Sequence, residues 1–69
     1  MGYLHMKIND LLEKKGVSKN QICKELEITR SNFNRYCRDE FQRIDANYIC
    51  KLCEYFDCEI QELIEYVKD

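Results

Sequence analysis

Four arginines, Arg30, Arg35, Arg38 and Arg43, fall within fourteen residues of a 69-residue chain, and every lysine lies outside that window. A guanidinium is flat, permanently charged and able to give two parallel hydrogen bonds, so such a cluster suits phosphate oxygens and the edge of guanine. The bland alternative is a solvated face making surface ion pairs. The net charge of −2 opposes a polyanionic partner at first sight, because phosphate binding is driven by clustered Lys and Arg. The charge is polarised, however: residues 1–45 carry nine basic and seven acidic side chains, residues 46–69 two basic and six acidic.

Cysteine offers other chemistry. Cys50, Cys53 and Cys58 include a C-x-x-C, which suits half of a zinc site or a redox pair. A full ligand set needs another cysteine or His5 from far along the chain, and Cys53 falls on an apolar helical stripe where a thiol acts as a small apolar group. Packing is therefore the expected role, with no metal. Five cysteines is an odd number within helical patterns, which argues against a secreted disulfide framework and for reduced thiols. His5 is the only histidine, so a Cys–His dyad would have to use it from near the amino terminus with nothing evident to orient it. Glu54, Glu62 and Glu65 fall on exposed helical faces, as solubilising charge. No catalysed reaction is expected.

The elements that position these residues follow from composition and periodicity. At 45% hydrophobic and 35% charged residues, the chain has a normal globular balance in one small domain, residues 1–69, with residues 1–5 an added tail or an arm, ordered or flexible, between which the sequence does not decide. No apolar run approaches the roughly 18 residues of a membrane helix. The start MGYLHMKIND lacks the basic and apolar segments of a signal peptide, so a soluble, cytoplasmic protein is expected. Proline is absent and glycine occurs twice, which disfavours sheets joined by tight turns and predicts an all-α fold.

Ile8, Leu11 and Leu12 open helix one, which runs to Lys15 before Gly16 supplies a left-handed stop. Helix two begins near Ser18, an N-cap with Gln21 as capping-box partner and Val17 stapled to Ile22. The same start recurs at Ile28, Thr29 and Phe33 for helix three, which ends around Arg38 or Asp39. It recurs again at Ile44, Asp45 and Ile49 for helix four, whose stripe is Ile49, Leu52, Cys53 and Phe56. Helix five, capped by Glu59, carries Ile60, Leu63, Ile64 and Val67 and is short.

Helices two and three are the informative pair. Their caps, Ser18 and Thr29, are eleven residues apart, and the link Leu26-Glu27-Ile28 forces the helices to cross. Small Cys23 admits the close approach, with Leu26, Ile28 and Phe33 filling the space beneath. This is helix-turn-helix spacing. It leaves the amino-terminal turn of helix three protruding with Arg30 and Ser31, then Asn34 and Arg35 one turn on, as groups able to reach base edges.

The stretch SKNQICKELEITRSNFNRYCRDE, followed by IDANYICKLCEYFDCEIQELIEY, resembles the Cro and phage-repressor (Xre-like) helix-turn-helix regulators over roughly residues 7–67. The resemblance implies a five-helix bundle of the lambda-repressor-like type and a homodimer that reads a two-fold operator. It implies base contacts from Arg30, Ser31, Asn34 and Arg35 on the recognition helix, where Thr29 also lies. Lys19, Asn20, Thr29, Arg38 and Arg43 fall to the sugar–phosphate backbone. Two positions depart from the family pattern. Glu27 stands where glycine is usual and needs a positive φ. Asp39 replaces the common glycine after helix three, and with Glu40 it brings carboxylates toward the phosphate path.

The expected function is a sequence-specific DNA-binding regulator of the repressor kind, with double-stranded DNA and a second copy of the chain as partners. No cofactor, small-molecule ligand or membrane is implicated. The carboxy-terminal helix is the expected dimer surface, because Tyr66 and Tyr55 lie beside the apolar stripe; the alternative is a monomer with exposed tyrosines. The rival expectation is a protein-interaction domain, an antitoxin or anti-regulator, favoured by Glu27, Asp39, Glu40 and the acidic second half.

Overall fold

Gly16 takes φ 74°, and its N–H reaches the carbonyls of Leu12 (2.8 Å) and Glu13 (3.2 Å), ending the first helix where the sequence predicts. The computed structural model describes residues 2–68. Along them run β1 (Tyr3–Met6), α1 (Ile8–Lys15), α2 (Lys19–Leu26), α3 (Arg30–Cys37), α4 (Ala46–Phe56), α5 (Ile60–Leu63) and β2 (Ile64–Val67).

The predicted starts recur in the structure. Ser18 Oγ accepts from the Gln21 N–H at 3.1 Å, and Asp45 Oδ1 accepts from the N–H groups of Asn47 (2.9 Å) and Tyr48 (3.4 Å). Glu59 heads α5 in a reciprocal capping box with Glu62. Thr29 sits at the head of α3 in extended conformation without a side-chain cap bond.

The helix ends share one device. In each of α1 to α4 a left-handed residue lets the next N–H reach back to a carbonyl of the last turn: Val17 to Leu12, Ile28 to Cys23, Glu40 to Arg35 and Cys58 to Cys53, at 2.8–3.2 Å. Only the first uses glycine. The others use Glu27 (φ 56°), Asp39 (φ 61°) and Asp57 (φ 50°), a conformation disfavoured for residues with a Cβ.

The helices close on a core that includes Ile8, Ile22, Phe33, Leu52 and Leu63, all with no exposed surface. Cys23 and Cys37 are buried between α2 and α3 as small apolar side chains.

The all-α expectation is corrected by a two-stranded antiparallel sheet. β1 pairs with β2 in the register Tyr3↔Val67, Leu4↔Tyr66, His5↔Glu65 and Met6↔Ile64. The predicted helix five stops at Leu63, and Ile64 turns to φ −126°, ψ 140°. The β-branched and aromatic residues of IEYV accept an extended backbone as readily as a helical one, and the extended partner YLHM decides between them. Residues 3–5 are therefore part of the fold, as an ordered arm would be; Met1 lies outside the described residues. An isolated two-stranded ribbon is marginal in water. This one is anchored by Met6, 1% exposed in the core, and by the Lys7 N–H on the Leu63 carbonyl at 2.7 Å.

The expected tyrosine surface separates accordingly. Tyr66 lies on β2 and is 66% exposed. Tyr55 is half-buried on α4, where its hydroxyl meets Glu25 of α2 and the Lys15 ammonium sits 5.1 Å from its ring centroid. Among the described residues, Tyr3, Leu4 and Ile60 are the other exposed large apolar ones.

Candidate nucleic-acid interface

Helix α3 is two-faced. Phe33, Tyr36 and Cys37 are buried beneath it, while Arg30, Ser31, Asn32, Arg35 and Arg38 are exposed and Asn34 is half-buried. The sequence RSNFNRYC produces this because its apolar members fall at i, i+3 and i+4. Arg30 and Arg35 are thus both exposed on the outward part of the helix.

Arg30 does not project alone. Its Nε donates to Asn34 Oδ1 at 3.4 Å, one turn along α3, and its Nη1 donates to Asn20 Oδ1 on α2. Two amide oxygens thereby orient the guanidinium at the junction of the two helices, reducing the rotamer freedom it must lose on meeting a ligand. Asn20, expected as a backbone contact, is placed as the residue that holds Arg30. Sequence periodicity could not find this pair, because the two residues lie on different helices across a turn.

Arg35 Nε donates to the Glu40 carbonyl at 3.4 Å, tying the helix to the following loop. That loop, residues 38–45, borders an open groove of about 650 Å³ lined by Asn32, Arg35, Tyr36, Asp39, Glu40, Phe41, Gln42 and Arg43. A column of rings holds the loop in place: Phe41 stacks on Tyr36 at 5.4 Å and Tyr36 on Tyr48 at 4.4 Å. The Tyr36 hydroxyl accepts from the Asp45 N–H at 3.3 Å. Arg43 is exposed on this loop and Arg38 at the end of α3, whereas Lys19 is half-buried at the start of α2. Burial pushes the Cys37 thiol up, with the nearby Lys19 charge opposing it.

The acidic departures sit differently from expectation. Asp39 lines the groove, but its carboxylate is turned to β1. Oδ1 accepts from the Met6 N–H at 2.8 Å, and Oδ2 lies 2.8 Å from His5 Nδ1. The left-handed backbone at Asp39 aims the side chain back across the end of α3, so the residue ties the sheet to the helix. The His5–Asp39 pair, thirty-four residues apart, escaped sequence reasoning because no local period links them. Glu40 remains exposed and contributes its carbonyl to Arg35. Glu27 adopts the positive φ that its position requires.

The candidates for other chemistry disperse. Cys50 is exposed, whereas Cys53 and Cys58 are half-buried, and all five cysteines are free thiols. Among the described residues, no group of three or more His, Cys, Asp or Glu is placed to hold a metal ion, and no helix is long and apolar enough to cross a membrane.

Comparison with known proteins gives a consistent picture. Residues 7–69 match the model of the Cro/C1-type HTH DNA-binding domain. No curated protein sequence matches the chain. Two crystal structures share the fold. One is a Bacteroides fragilis protein described as DNA-binding (TM-score 0.76, 16% identical, covering 90% of this chain and 98% of that one). The other is the transcriptional regulator VanUg (TM-score 0.81, 17% identical, covering 99% of this chain and 89% of that one).

Proposed function

This chain belongs to the family of Cro/C1-type helix-turn-helix DNA-binding domains, and from that premise we propose that it is a sequence-specific transcriptional regulator acting as a repressor. It carries out no reaction. Acting in the cytoplasm, it inserts α3 into the major groove and occludes a promoter. Supporting this reading most directly is the exposed edge of α3, where Arg30 is pre-oriented by Asn20 and Asn34 beside Ser31 and Arg35.

Arg30, Ser31, Asn34 and Arg35 read base edges, Arg30 by a bidentate approach to guanine. Lys19, Asn20, Thr29, Arg38 and Arg43 contact the sugar–phosphate backbone and set register. The Thr29 hydroxyl, unused as a cap, suits a phosphate oxygen. Arg43, on the ring-braced loop, reaches the flank of the site. A homodimer would present two α3 helices to half-sites about one turn, roughly 34 Å, apart. The exposed Leu4 and its cross-strand partner Tyr66 support association through the sheet rather than through a terminal helix.

Fluorescence anisotropy against duplexes from the chain's own upstream region, at low and moderate salt, tests the reading. The expected result is tighter binding to one palindrome than to its scrambled counterpart. Arg30→Ala should relax preference at one base pair by about 1–3 kcal/mol. Lys19→Ala or Arg43→Ala should weaken all sequences alike and reduce the salt slope by about one unit. Equal affinity for palindrome and scrambled duplex favours the rival reading, a protein-docking domain of the antitoxin or anti-regulator kind that would use the apolar ribbon residues Tyr3, Leu4 and Tyr66.

A further inference from the structure

The cap that ends α4 repeats a motif used at three other helix ends, but with different side chains at its two contact positions. In this geometry the residue after the left-handed turn returns its N–H to the carbonyl five residues earlier, and the two side chains concerned meet. At α1 the pair is Leu12 and Val17, at α2 Cys23 and Ile28, and at α3 Arg35 and Glu40. At α4 both members are cysteines. The Cys58 N–H reaches the Cys53 carbonyl at 3.1 Å, the Asp57 N–H reaches Glu54 at 3.3 Å, and Asp57 holds φ 50°.

We propose that Cys53 and Cys58 form an oxidant-reactive dithiol that a peroxide converts to an intramolecular disulfide across the α4–α5 junction. The C-x-x-C of the sequence, Cys50 and Cys53, is not the reactive pair. Cys50 is exposed, one helical turn before Cys53, whereas Cys53 and Cys58 are both half-buried and occupy the two contact positions of the cap, joined by its 3.1 Å backbone bond. Cys58 is reachable from solvent: it lines an open groove of about 340 Å³ with Leu11, Lys14 and Lys15 of α1, Phe56, Asp57 and Glu62. Burial pushes the Cys58 thiol up, and Cys53, Glu62 and Asp57 act in the same direction. At neutral pH Cys58 therefore rests as a thiol and reacts through a minor thiolate fraction, a slow sensor rather than a catalyst.

The chemistry balances with the peroxide as the sole oxidant. The Cys58 thiolate attacks one peroxide oxygen, the O–O bond breaks, and the departing hydroxide takes up a proton to become water. Cys58 is left as a sulfenic acid. The Cys53 sulfur then attacks the Cys58 sulfur, the S–O bond breaks, and the hydroxyl leaves as water with the Cys53 proton. Two thiols lose two electrons, and one peroxide becomes two waters.

The experiment treats the reduced full chain with equimolar hydrogen peroxide, blocks remaining thiols, and maps peptides by mass spectrometry under non-reducing conditions. The expected product has lost two of its five thiols, with a cross-link joining Cys53 and Cys58 in monomeric protein. Cys50→Ser should leave that product unchanged. Cys53→Ser, which removes the resolving thiol, should accumulate a sulfenic acid on Cys58 that dimedone captures. A cross-link through Cys50, Cys23 or Cys37, over-oxidation with both thiols unjoined, all five thiols surviving, or no dimedone adduct on Cys58 in folded Cys53→Ser protein would each overturn the proposal. Circular dichroism confirms the fold of each variant. If Cys53→Ser is unfolded, Cys58→Ser carries the test: loss of the cross-link with Cys53 left reduced is expected, and an equally rapid disulfide at Cys53 refutes it.

Discussion

Replacing Glu27 with glycine and replacing Asp39 with glycine make the same backbone change, at φ 56° and φ 61°, yet should shift stability in opposite directions. A left-handed conformation costs a residue with a Cβ about 1–2 kcal/mol, and glycine removes that cost. Glycine's extra freedom in the unfolded chain returns roughly 0.4–1 kcal/mol. Glu27 is exposed and its carboxylate bonds to no other described residue, so Glu27→Gly should stabilise by about 0.5–1 kcal/mol. Asp39 gains less, because aspartate tolerates the left-handed region better than glutamate does. It also loses two partners. The bond to the Met6 N–H, at 2.8 Å beside a core side chain, is charge-assisted and belongs to the class worth about 1.5–3 kcal/mol. The His5 partner is 40% exposed, so its pairing is discounted to at most about 1 kcal/mol. Asp39→Gly should therefore destabilise by about 1–2 kcal/mol. For a domain of this size the melting temperature should rise by roughly 3–6 °C in the first variant and fall by roughly 6–12 °C in the second. Thermal and urea melts followed by circular dichroism measure both. Shifts of the same sign would refute the assignment of Asp39 as the tether between sheet and helix.

Three further outcomes follow from single groups. Tyr48 carries a buried hydroxyl with no hydrogen-bond partner among the described residues, so Tyr48→Phe should keep the 4.4 Å stacking on Tyr36 and stabilise by about 1 kcal/mol, read from a urea melt. Asn20→Ala should release Arg30 and lose part of the base discrimination that Arg30→Ala abolishes, measured as the affinity ratio of palindrome to scrambled duplex. The hydrogen bond from Tyr55 to Glu25 raises the Tyr55 phenol to about 12, so its contribution to stability is complete below the ordinary pKa near 10 and is lost as pH rises between those values. Ultraviolet titration should show a late tyrosinate that Glu25→Ala moves down; an unchanged titration would exclude that bond.

Helix starts and stops were legible because they are local. Ser18, Asp45 and Gly16 act through neighbours within five residues, and their chemistry can be seen in a short window. The buried face of α3 and its exposed arginine edge were legible for the same reason, through the spacing of Phe33, Tyr36 and Cys37. What escaped lies between distant segments. Ile64–Val67 continues an apolar period that suits a helix equally well, and only Tyr3–Met6, at the other end of the chain, makes it a strand. The roles of Asn20 and Asp39 likewise depend on partners that folding alone brings near.

The ribbon also bears on how the chain is made. Residue 3 pairs with residue 67, so β1 leaves the ribosome long before its partner strand exists. The helical segments between them form through short-range contacts and can begin to order before β2 has emerged. Asp39 arrives in that interval and can hold the Met6 N–H and His5 in advance. An exposed strand edge on a nascent polypeptide invites pairing with its neighbours on a polysome. A carboxylate that engages that edge early would limit such encounters until Val67 emerges.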